Sequence, residues 1–323
     1  MKLKKVLAVF MLVLAAVLLS FEDISVFTDL SKTVSAAEIY GDFEYEVLDD
    51  GTAKIVKYTG NDETVNIPSE INGKKVTVIG GKSNDHFEVI DYFGVFEGNT
   101  NVKTVNIQNG VEIIGGGAFS GCKSLISVNI PDSVTKIDSY AFYDCPNLKT
   151  VNIGSGVEEI KSNAFIRCFD LEEINVDENN QTFLSDDGVL FSKNKDILIK
   201  CPSAKEGSYI IPDSVAEIAE NAFIACNGLT EIKIPESVTK IEDFAFTGCS
   251  GVTSINIPDK LTKIASSSFF GCEGLTSVRI PEGVTVIEAA AFDGCTGLIS
   301  VIIPDSVTEI GRRLSAAVQA LKI

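Results

Sequence analysis

The chain has 323 residues, 45% hydrophobic and 22% charged, the balance of a folded protein with one elongated domain or two ordinary ones. Forty-five acidic residues against twenty-seven basic ones give a formal charge of -18, which repels phosphate backbones and anionic lipid surfaces and argues against nucleic acid as a partner. One histidine, His86, leaves no second imidazole for a His-rich zinc centre, so neither a metal nor a cofactor is expected.

Lys2, Lys4 and Lys5 precede an apolar run over 6–19, and the small residues Val34-Ser35-Ala36-Ala37 come after it. The run is shorter than the roughly 20 residues of a bilayer-spanning helix, so 1–37 reads as a signal peptide, with an uncleaved anchor as the alternative. Cleavage removes four lysines and three acids and leaves a still more acidic chain. The expected location is secreted or cell-surface, with no membrane insertion after cleavage, because no later stretch is apolar enough to span.

Over 38–64, Phe43, Tyr45 and Val47 alternate with polar residues, Asp50-Gly51 marks a turn, and Ala53 and Ile55 alternate again. This is a β-hairpin, expected to cap the first coil of the adjoining repeats, because a bare sheet end exposes unpaired backbone and apolar side chains.

From 65 to 310 the sequence repeats. Cys122, Cys145 and Cys168 are spaced by 23 residues, as are Cys226, Cys249, Cys272 and Cys295; the sets lie 58 apart, one period plus 35. A period of this size marks a solenoid, whose units cannot bury their own apolar face and must stack. In one unit Leu125, Val128 and Ile130 form a short strand that Pro131 ends, having no N–H and a fixed φ. Val134 and Ile137 suggest a second short strand, and Ala141-Phe142 supplies the largest buried body before Cys145. Residues 80–99 form a degenerate unit with Phe96 in the phenylalanine phase and Asn99 in place of the cysteine.

This phased set of a strand, Ile-Pro, Val-x-x-Ile, Ala-Phe and a cysteine resembles the bacterial BspA-type leucine-rich repeats. The resemblance implies a right-handed repeat solenoid with a parallel β-sheet on its concave side and short strands and helical turns elsewhere. It also implies a secreted or surface-displayed protein that binds other proteins and is not an enzyme.

The extra residues, 177–211, contain Val189-Leu190-Phe191 and Ile197-Leu198-Ile199 around a polar turn, which predicts a second hairpin projecting from the solenoid, either a partner-contacting arm or a tolerated insertion. After Ile310 the pattern breaks: Leu314, Val318 and Leu321 in 311–323 fit a short amphipathic helix capping the last coil, and an altered end is the alternative.

The phased cysteines should point the same way into successive coils about 4.8 Å apart, where parallel Cβ vectors suit a disulfide poorly. They are expected to be buried thiols, with Cys201, in the insertion, the exception and the more plausible free thiol. His86 has no accompanying catalytic signal. Gly81-Lys82-Ser83 lacks the first glycine of a phosphate loop, and Gly115, Gly117 and Ser120 belong to a repeat. Asp49-Asp50-Gly51 and Asp186-Asp187-Gly188 read as hairpin turns rather than calcium loops.

The candidate binding residues flank the middle apolar residue of each strand and project from the concave sheet. They are Thr104 and Asn106, Ser127 and Asn129, Thr150 and Asn152, Glu173 and Asn175, Glu231 and Lys233, Ser254 and Asn256, Ser277 and Arg279, then Ser300 and Ile302. Short polar groups without an aromatic platform suit an extended polypeptide better than sugar rings. The expected role is a non-catalytic, monomeric module for a host, matrix or cell-surface protein. A carbohydrate-binding or enzyme-accessory module and a structural spacer are the alternatives.

Overall fold

A computed structural model describes residues 37–80, 94–96 and 99–313. The leader up to residue 36, His86 and the tail residues Leu314, Val318 and Leu321 lie outside the described residues.

Alternation of β-branched residues with short polar ones makes one strand per coil, and these strands stack in parallel. The first front sheet runs Thr64–Ile67, Thr104–Ile107, Ser127–Ile130, Thr150–Ile153 and Glu173–Val176. The second runs Gly207–Ile210, Leu229–Lys233, Ser254–Ile255, Ser277–Arg279 and Ser300–Ile302. On the far side, two-residue strands such as Lys136–Ile137 and Glu159–Ile160 form the back ladders. Pro131 starts the turn between front and back, its carbonyl accepting from the Val134 amide at 3.1 Å. The fold is thus a leucine-rich-repeat solenoid.

Helical turns, implied by the resemblance, do not occur among the described residues; hydrogen-bonded turns take their place. The cause is local. Left-handed residues recur four apart on either side of the Ala-Phe pair: Tyr140 and Asp144, Asn221 and Ala225, Phe244 and Gly248, Ala290 and Gly294. A right-handed helix cannot run through two such residues.

The phenylalanines form two columns inside the coils. Phe96, Phe119, Phe142 and Phe165 stack at 5.1–5.4 Å, and Phe223, Phe246, Phe269 and Phe292 at 5.0–5.3 Å. Each side chain of this class contributes roughly 1.5–3 kcal/mol on burial. At the N-terminal end Glu38–Tyr40, Phe43–Val47 and Ala53–Tyr58 form an antiparallel meander, whose last strand pairs in parallel with Lys74–Ile79. Phe43 lies 5.2 Å from Tyr58, and Tyr58 lies 5.1 Å from Phe96, so this meander extends the aromatic column.

The segment 177–211 does not project. It contains three antiparallel strands, Phe183–Asp186, Val189–Ser192 and Ile197–Lys200, and the last pairs in parallel with Glu217–Ile218 of the back ladder. Val189, Leu190 and Phe191 are all buried. Leu190 packs into the core that begins at Phe43, whereas Val189 and Phe191 pack into the core that ends at Val301. The strand is therefore a wall shared by two apolar interiors, and the run Val-Leu-Phe is apolar throughout because both of its faces are covered. Asn180 anchors its approach: fully buried, it donates to the Gly154 and Val157 carbonyls, each at 3.0 Å, and accepts from the Thr182 and Phe183 amides.

Truncating a side chain in this wall should cost what a core truncation costs. Phe191→Ala is expected to lower the unfolding free energy by about 3–5 kcal/mol in urea denaturation; a loss under about 1 kcal/mol, typical of surface substitutions, would restore the projecting arm.

Candidate functional site

The front face is built by the same alternation that builds the core. Val105, Val128, Val151 and Ile174 point inward and are buried, so their neighbours point outward. The ladder register places Thr104 opposite Ser127, Ser127 opposite Thr150, and Thr150 opposite Glu173; Asn106, Asn129, Asn152 and Asn175 form a second row. These positions are exposed or half-buried.

The asparagine row is hydrogen-bonded to itself. Asn106 Nδ2 donates to Asn66 Oδ1 at 2.8 Å, Asn152 to Asn129 at 2.7 Å, and Asn175 to Asn152 at 3.1 Å. These bonds hold the amides in fixed positions along the face. Thr64 and Asn66 begin the two rows and are absent from the expected site. Their signal was available: Thr64-Val65-Asn66-Ile67 recurs letter for letter at 104 and at 150, hidden by its displacement from the cysteine phase.

The second front sheet has a different face. Ser208 and Ile210 stand opposite Glu231 and Lys233, and Arg279 stands opposite Ile302. Ser208 Oγ bonds the Glu231 carboxylate at 3.0 Å, Lys233 lies 3.6 Å from Glu231, and Arg279 lies 3.4 Å from Asp259. Exposed pairs of this kind contribute about 0–1 kcal/mol. Asn256 leaves the row: its side-chain amide bonds both the N–H and the C=O of Ile234, at 3.0 and 2.7 Å, in place of strand pairing. Glu231, Lys233, Ser254 and Asn256 line a shallow open depression there. Ser208 and Ile210 also escaped the sequence reading, although Ile211-Pro212 repeats the Ile130-Pro131 signal that marks a strand end.

A parallel-stranded solenoid in which a phased cysteine, Ala-Phe and Ile-Pro recur in most coils defines a leucine-rich-repeat protein. The chain belongs to the BspA type leucine rich repeat region family, whose model matches residues 89–197 and 200–321 in six copies. Among solved structures, the pneumococcal vaccine antigen PcpA is similar at 21% identity, over 87% of this chain and 86% of that one, with a TM-score of 0.58. A leucine rich cell surface protein from Faecalibacterium prausnitzii A2-165 is 24% identical over 89% of this chain and 97% of that one, with a TM-score of 0.49. A leucine-rich repeat protein from Eubacterium ventriosum is 20% identical over 86% and 93%, with a TM-score of 0.45. No curated protein matches the chain.

The cysteines form a second interior column. All eight are free and buried, and Cys201, read from the sequence as the exception to the phase, joins the others. The reason is phase: its amide bonds the Ala222 carbonyl at 2.8 Å, and the Cys226 thiol faces the Cys201 and Pro202 carbonyls at 3.8 and 3.6 Å, which makes Cys201 the head of the second cysteine column. In regular coils the thiol donates to the phenylalanine carbonyl 26 residues earlier, as Cys145 does to Phe119 at 3.0 Å and Cys295 to Phe269 at 3.1 Å. Among the described residues no group of three or more His, Cys, Asp or Glu is placed to hold a metal ion.

Burial pushes the Cys168, Cys201 and Cys249 thiols well above their ordinary range, so they keep their protons where an unfolded chain would release them. Their contribution to stability is complete below about pH 8.5, the ordinary thiol value, and declines as pH rises beyond it. Iodoacetamide at about pH 8 is expected to leave Cys168, Cys201 and Cys249 unmodified in the native chain, since the thiolate is the nucleophile. All eight should titrate in denaturant without reductant; finding disulfides there would contradict this column.

Proposed function

We propose that the chain is an exported, non-catalytic protein-binding protein, secreted or displayed at the cell surface, which works as a monomer and uses its front face for adhesion to a host, matrix or surface protein. The observation that carries this reading is the pair of outward rows on the first front sheet. Their short polar groups sit at fixed spacing on a rigid ladder, with Asn106, Asn152 and Asn175 already tied to neighbours. A partner meeting such a surface loses little affinity to the ordering of side chains. Export is supported by the basic, apolar and small-residue order of the first 37 residues. Membership of the repeat family supports a binding scaffold. An extended polypeptide suits the face because the outward positions carry hydrogen-bonding groups and no aromatic ring on which a sugar would stack.

The test is capture of surface and extracellular proteins on the immobilised mature chain, compared with a variant carrying Ser127→Lys, Asn129→Lys, Thr150→Lys and Asn152→Lys. Loss of a specific band in the variant is expected; equal capture by both would remove the face from consideration.

A further inference from the structure

The front ladder stops at Glu173–Val176 and restarts at Gly207–Ile210, and each of these strands pairs with a strand on one side only. The open side of the first is met by the insert, whose Gly188 carbonyl accepts from the Ile174 amide at 2.9 Å. Among the described residues, no such backbone bond meets the open side of the second. The Gly207 and Ile211 amides donate to Gly228 at 2.9 Å and Lys233 at 3.0 Å, which turns the odd-numbered residues toward Leu229–Lys233. In a strand, successive residues direct their backbone groups to opposite sides. Ser208 and Ile210 therefore present their N–H and C=O groups to the gap. Ile210 is 65% exposed, and the inward residues bordering the gap, Val176 and Tyr209, are only half-buried, whereas their counterparts Ile174 and Ile232 are buried.

We propose that this edge accepts an extended basic peptide as an added strand, with lysines alternating with apolar residues. Unpaired edges are templates for strand addition, in which backbone bonds supply affinity and alternate side chains supply selectivity. The charge at the gap sets the sign of the partner. Glu173 and Glu206 are exposed beside the two edges, and Asp187, 81% exposed at the turn of the insert, has Lys205 as its partner. Lys233, opposite Ile210, lies 3.6 Å from Glu231, which offsets its charge, so Glu173 and Glu206 set the local sign, and in a chain of formal charge -18 the long-range field favours a cationic ligand too. Apolar side chains at alternate positions would lie against Tyr209 and Val176, and lysines between them would face outward toward Glu173. This goes beyond the face reading, since it needs neither polar row of the first sheet.

The probe is a fluorescein-labelled (Lys-Val)3 peptide, titrated against the full chain by polarisation, with (Glu-Val)3 and the block peptide Lys-Lys-Lys-Val-Val-Val as controls. Ser208→Pro removes a donor on the open flank at a site where an edge strand tolerates proline, and Ile210→Lys adds a repelling charge. Each is expected to weaken binding at least about tenfold, and the alternating peptide should slow amide exchange at Ser208 and Ile210 while leaving Ser127 unchanged. Should Ser208→Pro unfold the chain, Ile210→Lys decides. Equal binding of the block peptide, or binding without protection at Ile210, would show mere charge attraction and overturn the proposal. Self-association sensitive to Ile210→Lys, without peptide binding, would assign the edge to a second copy and overturn it as well. The four-lysine variant of the first sheet should bind the peptide with no more than its added repulsion, so the two proposals fail separately.

Discussion

Everything in this protein depends on the closure of each coil by the next. The phenylalanine amide of one coil does not bond within its own turn. Phe119 donates to Ala141 at 2.7 Å, Phe142 to Ala164 at 2.9 Å, Phe223 to Ala245 at 2.7 Å and Phe246 to Ser268 at 2.7 Å, each in the following coil. The side chains of the same residues stack ring on ring, and the cysteine thiols reach back to the carbonyls of those phenylalanines. A single coil thus has neither a satisfied backbone nor a covered apolar face. Stability resides in nearest-neighbour contacts.

That dependence explains the insert. An interruption of the period would leave two coil ends facing each other across a gap, each with exposed apolar surface. Val189–Ser192 meets both ends by turning Leu190 one way and Val189 and Phe191 the other. The back ladder also breaks, stopping at Glu159–Ile160 and resuming at Ile197–Lys200, where the insert's own strand Val189–Ser192 pairs with the resumed edge; the front ladder resumes at Gly207–Ile210 without such a neighbour. The open edge at Gly207–Ile210 is what remains, and it lies between two faces of different chemistry, a self-bonded asparagine row and a mixed row with Ile210, Lys233, Arg279 and Ile302.

The repeat was legible because Cys122 to Cys168 and Cys226 to Cys295 keep one phase, and the inward positions follow from it. The insert was not, because an apolar triplet such as Val189-Leu190-Phe191 reads alike in a projecting hairpin and in a strand covered on both faces. Position relative to the two cores decides, and that is a long-range fact. Asn180 was silent for a similar reason: its four hydrogen bonds join residues up to 26 apart. The helical turns failed because left-handed Tyr140, Phe244 and Ala290 carry no glycine to announce them. Ser268 occupies the alanine place beside Phe269 with its hydroxyl buried and unpartnered, and nothing in the structure explains it.

Hydrogen exchange of the phenylalanine amides tests the stacking account most directly. If the coils close one another, the amides of Phe119, Phe142, Phe223 and Phe246 should be among the slowest in the chain, opening only with global unfolding. Exchange of these amides as fast as that of the exposed turn residues Asp213 and Ser214 would mean that each coil stands alone, and the account would be wrong.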